Sequence, residues 1–272
     1  MAIALSAITM LVLIVLFIIK EGLPFIFKIG ITDFLLSTDW EPAAGKYGIF
    51  PMIAGSLWVT LGAILVGVPL GLAGAVFLSE FIPQWAMKTI KPTIELLAGI
   101  PSVVYGFIGV MVLAPLIREY LGGPGLSIMA ASIILGIMIL PTVMSISIDS
   151  IKAVPNSYRE GAFALGATHW QTIHMVVIPA ARSGIIAGII LGLGRAIGET
   201  MAVIMVAGNA VKLPNSPLDS VRTLTANIAL EMGYATGMHR QALFATGVVL
   251  LIIIMLLNYI AMTAIRDRGK KK

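Results

Sequence analysis

Six long apolar stretches, separated by short polar segments, constrain this chain more than anything else. They cover about residues 2–19, 53–78, 94–117, 126–148, 183–208 and 243–265. At about 1.5 Å rise per helical residue, each can cross a hydrocarbon layer of roughly 30 Å. Lipid offers no partner to backbone N–H and C=O groups, so such segments must be helices. Composition agrees: 58% of the 272 residues are hydrophobic and 11% are charged, against roughly 25% charged in soluble domains. The expected fold is all-α and polytopic, a single membrane domain over 1–272 with six spans. The first stretch lacks a basic lead and a small-x-small cleavage site, so it reads as a retained helix rather than a secretory signal. Cysteine is absent, which excludes disulfides, thiolate metal sites and cysteine nucleophiles.

An even number of spans puts both termini on one side, and loop charge sets which side. With the termini inside, ten basic residues fall there: Lys88, Lys91, Lys152, Arg159, Arg182, Arg266, Arg268, Lys270, Lys271 and Lys272. Seven fall outside: Lys20, Lys28, Lys46, Arg118, Lys212, Arg222 and Arg240. The bias favours cytoplasmic termini in a plasma membrane, although Lys20 directly after the first span argues the other way. The two larger outer loops are 20–52 and 209–242. Trp40, Tyr47 and Phe50 in the first fit either an interfacial aromatic belt or a landing surface for an external protein. The second contains turn formers and a helix-compatible stretch from about Ser220 to Met232.

The segment 149–182 interrupts the apolar pattern, and at 160–179 it reads EGAFALGATHWQTIHMVVIP. Pro155, Asn156 and Ser157 suit a turn and a helix start, and Ser157 with Glu160 has capping-box spacing. A short helix can run through Ala162 to Leu165, Gly166 permits a turn, and a second helix can follow from about Thr168. Such an elbow can present a small helix to a partner's groove; the plainer alternative is an ordinary amphipathic loop. The pattern Glu160-Gly161-Ala162, Gly166, then Val176-x-Ile178-Pro179 resembles the EAA loop of bacterial ABC importer permeases. Gly161 departs from it, standing where that pattern prefers alanine. The resemblance implies that Glu160, Gly161, Ala162, Gly166 and Pro179 couple the chain to separate ATPase subunits.

The fifth stretch carries Arg195 near its midpoint and Glu199 four residues on. A charge in mid-bilayer costs about 2.5–3.5 kcal/mol on insertion scales, so such residues face protein and pair. On a continuous helix the spacing puts both on one face, in line with Gly184, Gly188 and Gly192, whose small size permits close helix packing. Two roles stay open: a buried ion pair that fixes packing, and an anion path in which the arginine fork receives an oxyanion. Arg195-Ala-Ile-Gly-Glu199-Thr-Met-Ala is similar to the fifth-helix signature of PstC-type phosphate permeases. Thr93-Ile-Glu95-Leu-Leu-Ala-Gly-Ile-Pro101 resembles their third-helix motif, and Ile139-Leu-Pro141-Thr142 also fits. Sulfate and molybdate permeases share a related Arg-Ala-x-Gly-Glu stretch, typically followed by Phe rather than Thr200. The resemblance implies that Arg195 and Glu199 contribute to a phosphate path. Glu95, expected at the start of the third helix, serves either as helix N-terminal charge or as a polar contact in the path. Thr142, Ser145 and Ser147 either offer hydroxyls to the anion or bond back to helix carbonyls.

No G-x-x-x-x-G-K-[ST] loop is present, so nothing argues for ATP binding by this chain. His169 and His174 are five apart without an acidic cluster, and no metal site is expected. The resemblance implies a non-catalytic permease subunit of a type I ABC importer for inorganic phosphate. Its expected partners are a second, homologous permease, a dimer of ATP-binding subunits that use ATP and Mg²⁺, and an extracytoplasmic phosphate-binding protein. The alternatives are a permease for another oxyanion, and a stand-alone secondary transporter or membrane enzyme.

Overall fold

Helices in lipid gain little from apolar burial against one another and associate mainly by close packing. That rule explains which helix sits at the centre. A computed structural model describes residues 2–269. In it α7 (Ile128–Lys152) is 61% buried over its most apolar stretch, against 17–28% for the other spans. It lies between α3 (Phe50–Glu80) and α10 (Ile178–Gly198), and both neighbours meet it through glycine. A Cβ on Gly62 of α3 would fall 2.2 Å from Ser132 Oγ, and one on Gly67 would fall 2.6 Å from the Gly136 carbonyl. From α10, Gly184 would meet Ser150 Oγ at 2.0 Å and Gly192 would meet Val143 at 2.9 Å. Gly184, Gly188 and Gly192 therefore point into protein, as their spacing predicts.

Among the described residues, six helical runs are long and apolar enough to span: Leu5–Ile29, Phe50–Glu80, Ser102–Tyr120, Ile128–Lys152, His169–Gly198 and Gly237–Ile260. Two boundaries differ from expectation. The stretch taken as 94–117 is two elements: an amphipathic helix α4 (Gln84–Ala98) ends before Gly99-Ile100-Pro101, and the span begins anew at Ser102 with α5 (Ser102–Ile108) and α6 (Ala114–Tyr120). A residue before proline is biased out of the helical region, and Ile100 holds that position. The stretch taken as 183–208 starts earlier, with α9 (His169–Thr172), and stops at Gly198; a separate short helix α11 (Met201–Val206) follows. Two π-helical turns, Gly109–Leu113 and Ile173–Val177, each directly precede a helix with proline in its first two positions. A proline ring clashes with the carbonyl four residues back and donates no N–H; the wider turn accommodates both effects without ending the span.

The first helix, α1 (Ala2–Ile29), packs on the last, α13 (Gly237–Gly269), where the Phe244 and Ala245 backbone lies 2.7 Å from a Cβ on Gly22. At that end of the molecule a short helix α2 (Ile31–Leu36), a two-stranded hairpin (β1 Trp40–Glu41, β2 Lys46–Tyr47) and α12 (Leu224–Glu231) form a cap. Trp40 and Tyr47 are buried in it, with Tyr47 edge-on to Phe25 at 5.1 Å. They thus form neither an aromatic belt nor a landing surface. Their cause is polar as well as apolar: Trp40 Nε1 donates to Glu231 Oε2 at 2.9 Å, Arg222 Nη1 donates to Glu231 Oε1 at 2.6 Å, and His239 Nε2 lies 2.8 Å from Glu231 Oε2. The second loop's helix is shorter than 220–232, because Thr223 caps it by accepting from the Ala226 N–H.

Candidate functional site

Arg195 and Glu199 do not share a helix face. The helix α10 stops at Gly198, Glu199 is extended (φ −68°, ψ 131°), and α11 starts two residues later. Three hydrogen bonds hold the break: Glu199 Oε1 accepts from the Ala202 N–H at 3.1 Å, Thr225 Oγ1 donates to the Glu199 carbonyl at 3.0 Å, and Thr200 Oγ1 donates to the Gly198 carbonyl at 3.3 Å. The Glu199 carboxylate thus caps a helix start, where negative charge is favoured. The i,i+4 ion pair assumed an unbroken helix and is not formed. Arg195 Nη2 instead donates to the Ala98 carbonyl at 3.1 Å. Ala98 ends α4, and the neighbouring Leu97 carbonyl accepts from Tyr105 OH at 3.0 Å. Carbonyls at a helix C-terminus need partners: Arg195 supplies one to Ala98, and Tyr105 adds to the Ile100 N–H already on Leu97.

Glu95 sits in the last turn of α4 rather than at the start of the third span. It is exposed, accepts from Ser145 Oγ at 3.4 Å, and lies 3.8 Å from Lys91 Nζ. Lys91 also pairs with Asp149. The final turn of α4 is therefore tied to α7 through Glu95 and to α10 through Arg195. Thr142 is half-buried on α7, one turn before Ser145, while the Ser147 hydroxyl is buried without a partner. Sequence reasoning missed Ala98 and Tyr105; a main-chain acceptor leaves no residue signature, but the Gly-Ile-Pro break after Ala98 marked a helix end there.

At the other functional locus, α8 (Asn156–Ala164) and α9 form an elbow. Pro155 is the residue before α8 and no side chain caps it, so the Ser157–Glu160 box is not formed. Arg159 fastens α8 instead: it donates to the Val154 and Ile151 carbonyls at 2.8 and 3.2 Å and to Glu80 Oε1 at 2.8 Å. One side chain thus ties the elbow to the ends of α7 and α3. The turn matches expectation. Gly166 has φ +82°, its N–H reaches the Phe163 carbonyl at 2.9 Å, and the Ala167 N–H reaches the Ala162 carbonyl at 3.1 Å. This pair of bonds is a Schellman motif, which favours glycine at its left-handed position. The capping box lies one helix later, between Thr168 and Gln171. Ala162 is buried, while Glu160, Gly161, Gly166 and Pro179 are exposed. So are Tyr158, Phe163, Leu165 and Trp170, with Leu165 at 90%. His169 is half-exposed, 3.9 Å from Glu80 Oε2; among the described residues no group of three metal-binding side chains occurs.

Residues 67–271 match the family described as "Binding-protein-dependent transport system inner membrane component". The chain belongs to that family. This permease is 45% identical over 271 residues to "Probable ABC transporter permease protein YqgH" of Bacillus subtilis, covering 96% of the permease and 88% of the relative. It is 39% identical over 241 residues to "Phosphate transport system permease protein PstC" of Xylella fastidiosa, covering 81% and 74%. Its fold is that of a chain in a bacterial alginate ABC transporter bound to an alginate-loaded periplasmic protein, with a TM-score of 0.71 over 99% of the permease and 94% of that chain at 14% identity. It is also similar to a chain of the inward-facing MetNI methionine ABC transporter, with a TM-score of 0.59 over 81% and 94% at 19% identity. The six-span permease fold is thereby established, and the permease is a multi-pass membrane protein.

Proposed function

We propose that this permease forms half of the translocation path of an ATP-driven importer for inorganic phosphate. The observation that carries the proposal is Arg195, a guanidinium set where α10 breaks and bonded to the end of α4, in a chain with several relatives named as phosphate transport permeases. An arginine fork suits a phosphate oxyanion. In this conformation one of its donors is taken by the Ala98 carbonyl, so an arriving anion competes with a main-chain contact and is held weakly enough to leave. Glu199 limits the local positive charge without pairing with Arg195. Glu95 and Thr142 contribute polar contacts along α4 and α7.

A dimer of ATP-binding subunits, which use ATP and Mg²⁺, engages the exposed face of α8. Closure of that dimer moves α8; Arg159 passes the displacement to α3 and α7, and α4 passes it to Arg195. Glu160, Gly161, Ala162, Gly166 and Pro179 shape the elbow that does this. A homologous second permease completes the path, an extracytoplasmic binding protein delivers phosphate, and both termini are cytoplasmic. Alternating access requires two states biased by ligands with different affinities for each.

Uptake of radiolabelled phosphate by the reconstituted complex, with sulfate and molybdate as competitors, tests the proposal. Saturable, ATP-dependent phosphate uptake unaffected by the competitors is expected. The YqgH relative is named without a substrate, which keeps one second reading: strong competition would make the path one for another oxyanion. Uptake without ATP would remove the importer mechanism altogether.

A further inference from the structure

At the elbow end, the chain encloses a cleft of about 650 Å³ that lies outside the proposed path. Its walls are the ends of α3 and α7 and the starts of α4 and α8. Pockets of roughly 300–1,000 Å³ hold small molecules or headgroups. Four cations, Lys88, Lys91, Lys152 and Arg159, line this one against a single lining carboxylate, Glu80. Glu80 neutralises Arg159 at 2.8 Å, and Lys91 is engaged by Asp149 and lies 3.8 Å from Glu95. Among the described residues Lys88 and Lys152 have no such carboxylate and leave the cleft positively charged. Two ammonium groups without a counter-charge in one cleft call for an anion.

We propose that this cleft is a binding site for a phosphoryl anion, with Lys88 and Lys152 as charged ligands. The surroundings favour the headgroup of an anionic membrane lipid over free phosphate. The cleft lies at the end of α3, the second span, and Phe77, Phe81 and Trp85 stand exposed near it, Trp85 at 77%. Phe77 and Phe81 stack at 6.1 Å. Exposed aromatic rings at a span end sit at headgroup level, and basic pockets between spans take phosphoryl headgroups. The site does not depend on which substrate the path carries.

The test uses the intact permease complex, wild type against Lys88→Gln/Lys152→Gln, with Lys20→Gln/Lys28→Gln at the opposite end as control. One arm measures retained phosphatidylglycerol by native mass spectrometry after transfer from mixed vesicles. The other measures equilibrium binding of inorganic phosphate in lipid-free zwitterionic detergent, in an Arg195→Gln background that removes binding in the path. Each lost charged contact should weaken binding by roughly tenfold or more. Loss of phosphatidylglycerol in the double variant alone, with the control unchanged, establishes the lipid site. Loss of phosphate binding alone establishes the same site with a free anion as occupant. Equal retention of both ligands in wild type and double variant overturns the proposal. If the double variant fails to assemble, Lys152→Gln alone replaces it; several-fold weaker binding of either ligand is then required, and unchanged binding of both overturns the proposal.

Discussion

Replacing Arg195 with glutamine separates a role in the path from a role in packing. In the fold the guanidinium makes one hydrogen bond, to the Ala98 carbonyl at 3.1 Å. A hydrogen bond involving a charged group contributes about 1.5–3 kcal/mol, and glutamine keeps a donor, so the loss of stability should fall at or below the low end of that range. The effect on an anion is larger. A unit charge about 4 Å from the guanidinium is attracted by roughly 4 kcal/mol at an effective dielectric constant of about 20, which is close to a thousandfold in occupancy. Arg195→Gln should therefore lower phosphate uptake by about three orders of magnitude while the complex assembles normally. Arg195→Lys keeps the charge but loses the two-pronged geometry, and should retain more uptake than the glutamine variant. The assay is radiolabelled phosphate uptake in proteoliposomes, normalised to assembled complex by size-exclusion chromatography. Uptake by Arg195→Gln within threefold of wild type would refute the reasoning. So would collapse of assembly, because a single carbonyl contact cannot account for it.

Gly166→Val should strain the turn by about 1–3 kcal/mol, because φ is +82° there, whereas Gly166→Asn should be tolerated since no neighbour crowds the position. The ratio of ATP hydrolysed to phosphate imported should rise in the valine variant only. Glu231→Ala leaves Arg222 without its buried partner at 2.6 Å and should cost about 3 kcal/mol, read as a lower Tm of the purified complex. In the loop after α11, the Asn215 N–H, the Lys212 ammonium and the Ser216 N–H hold the Asp219 carboxyl below its ordinary range. A depressed carboxylate pKa adds order above the unfolded value that is lost as pH falls through the folded one. Amide protection factors in 212–221, corrected for the intrinsic pH dependence of exchange, should thus stay high through neutral pH and fall only in acid below the ordinary carboxylate range; Asp219→Asn should abolish that acid step.

The spans were legible because hydropathy sums over twenty residues and tolerates local error. The breaks were not, for the same reason: Gly99-Ile100-Pro101 and Gly198-Glu199-Thr200 lie inside apolar windows that average across them. The misplaced Arg195–Glu199 pair followed from the second break, since spacing of four residues has meaning only on a continuous helix. The turn at Gly166 was readable because its chemistry is local, and the Thr168-x-x-Gln171 box was equally visible but passed over for Ser157-x-x-Glu160. The cap of α2, the hairpin and α12 could not be read. Trp40, Arg222 and His239 converge on Glu231 across as many as 191 residues, and a hairpin of two-residue strands carries no usable alternation.

The glycine contacts on both sides of α7 also decide where this molecule can flex. Three helices packed this closely, glycine against side chain or main chain, cannot roll or slide without driving atoms into one another, so α3, α7 and α10 travel together as one stiff slab. Relative movement is left to the joints at 99–101 and 198–200. Arg195 stands on the slab and Ala98 at the edge of the 99–101 joint, so the bond between them anchors one side of that joint to the slab.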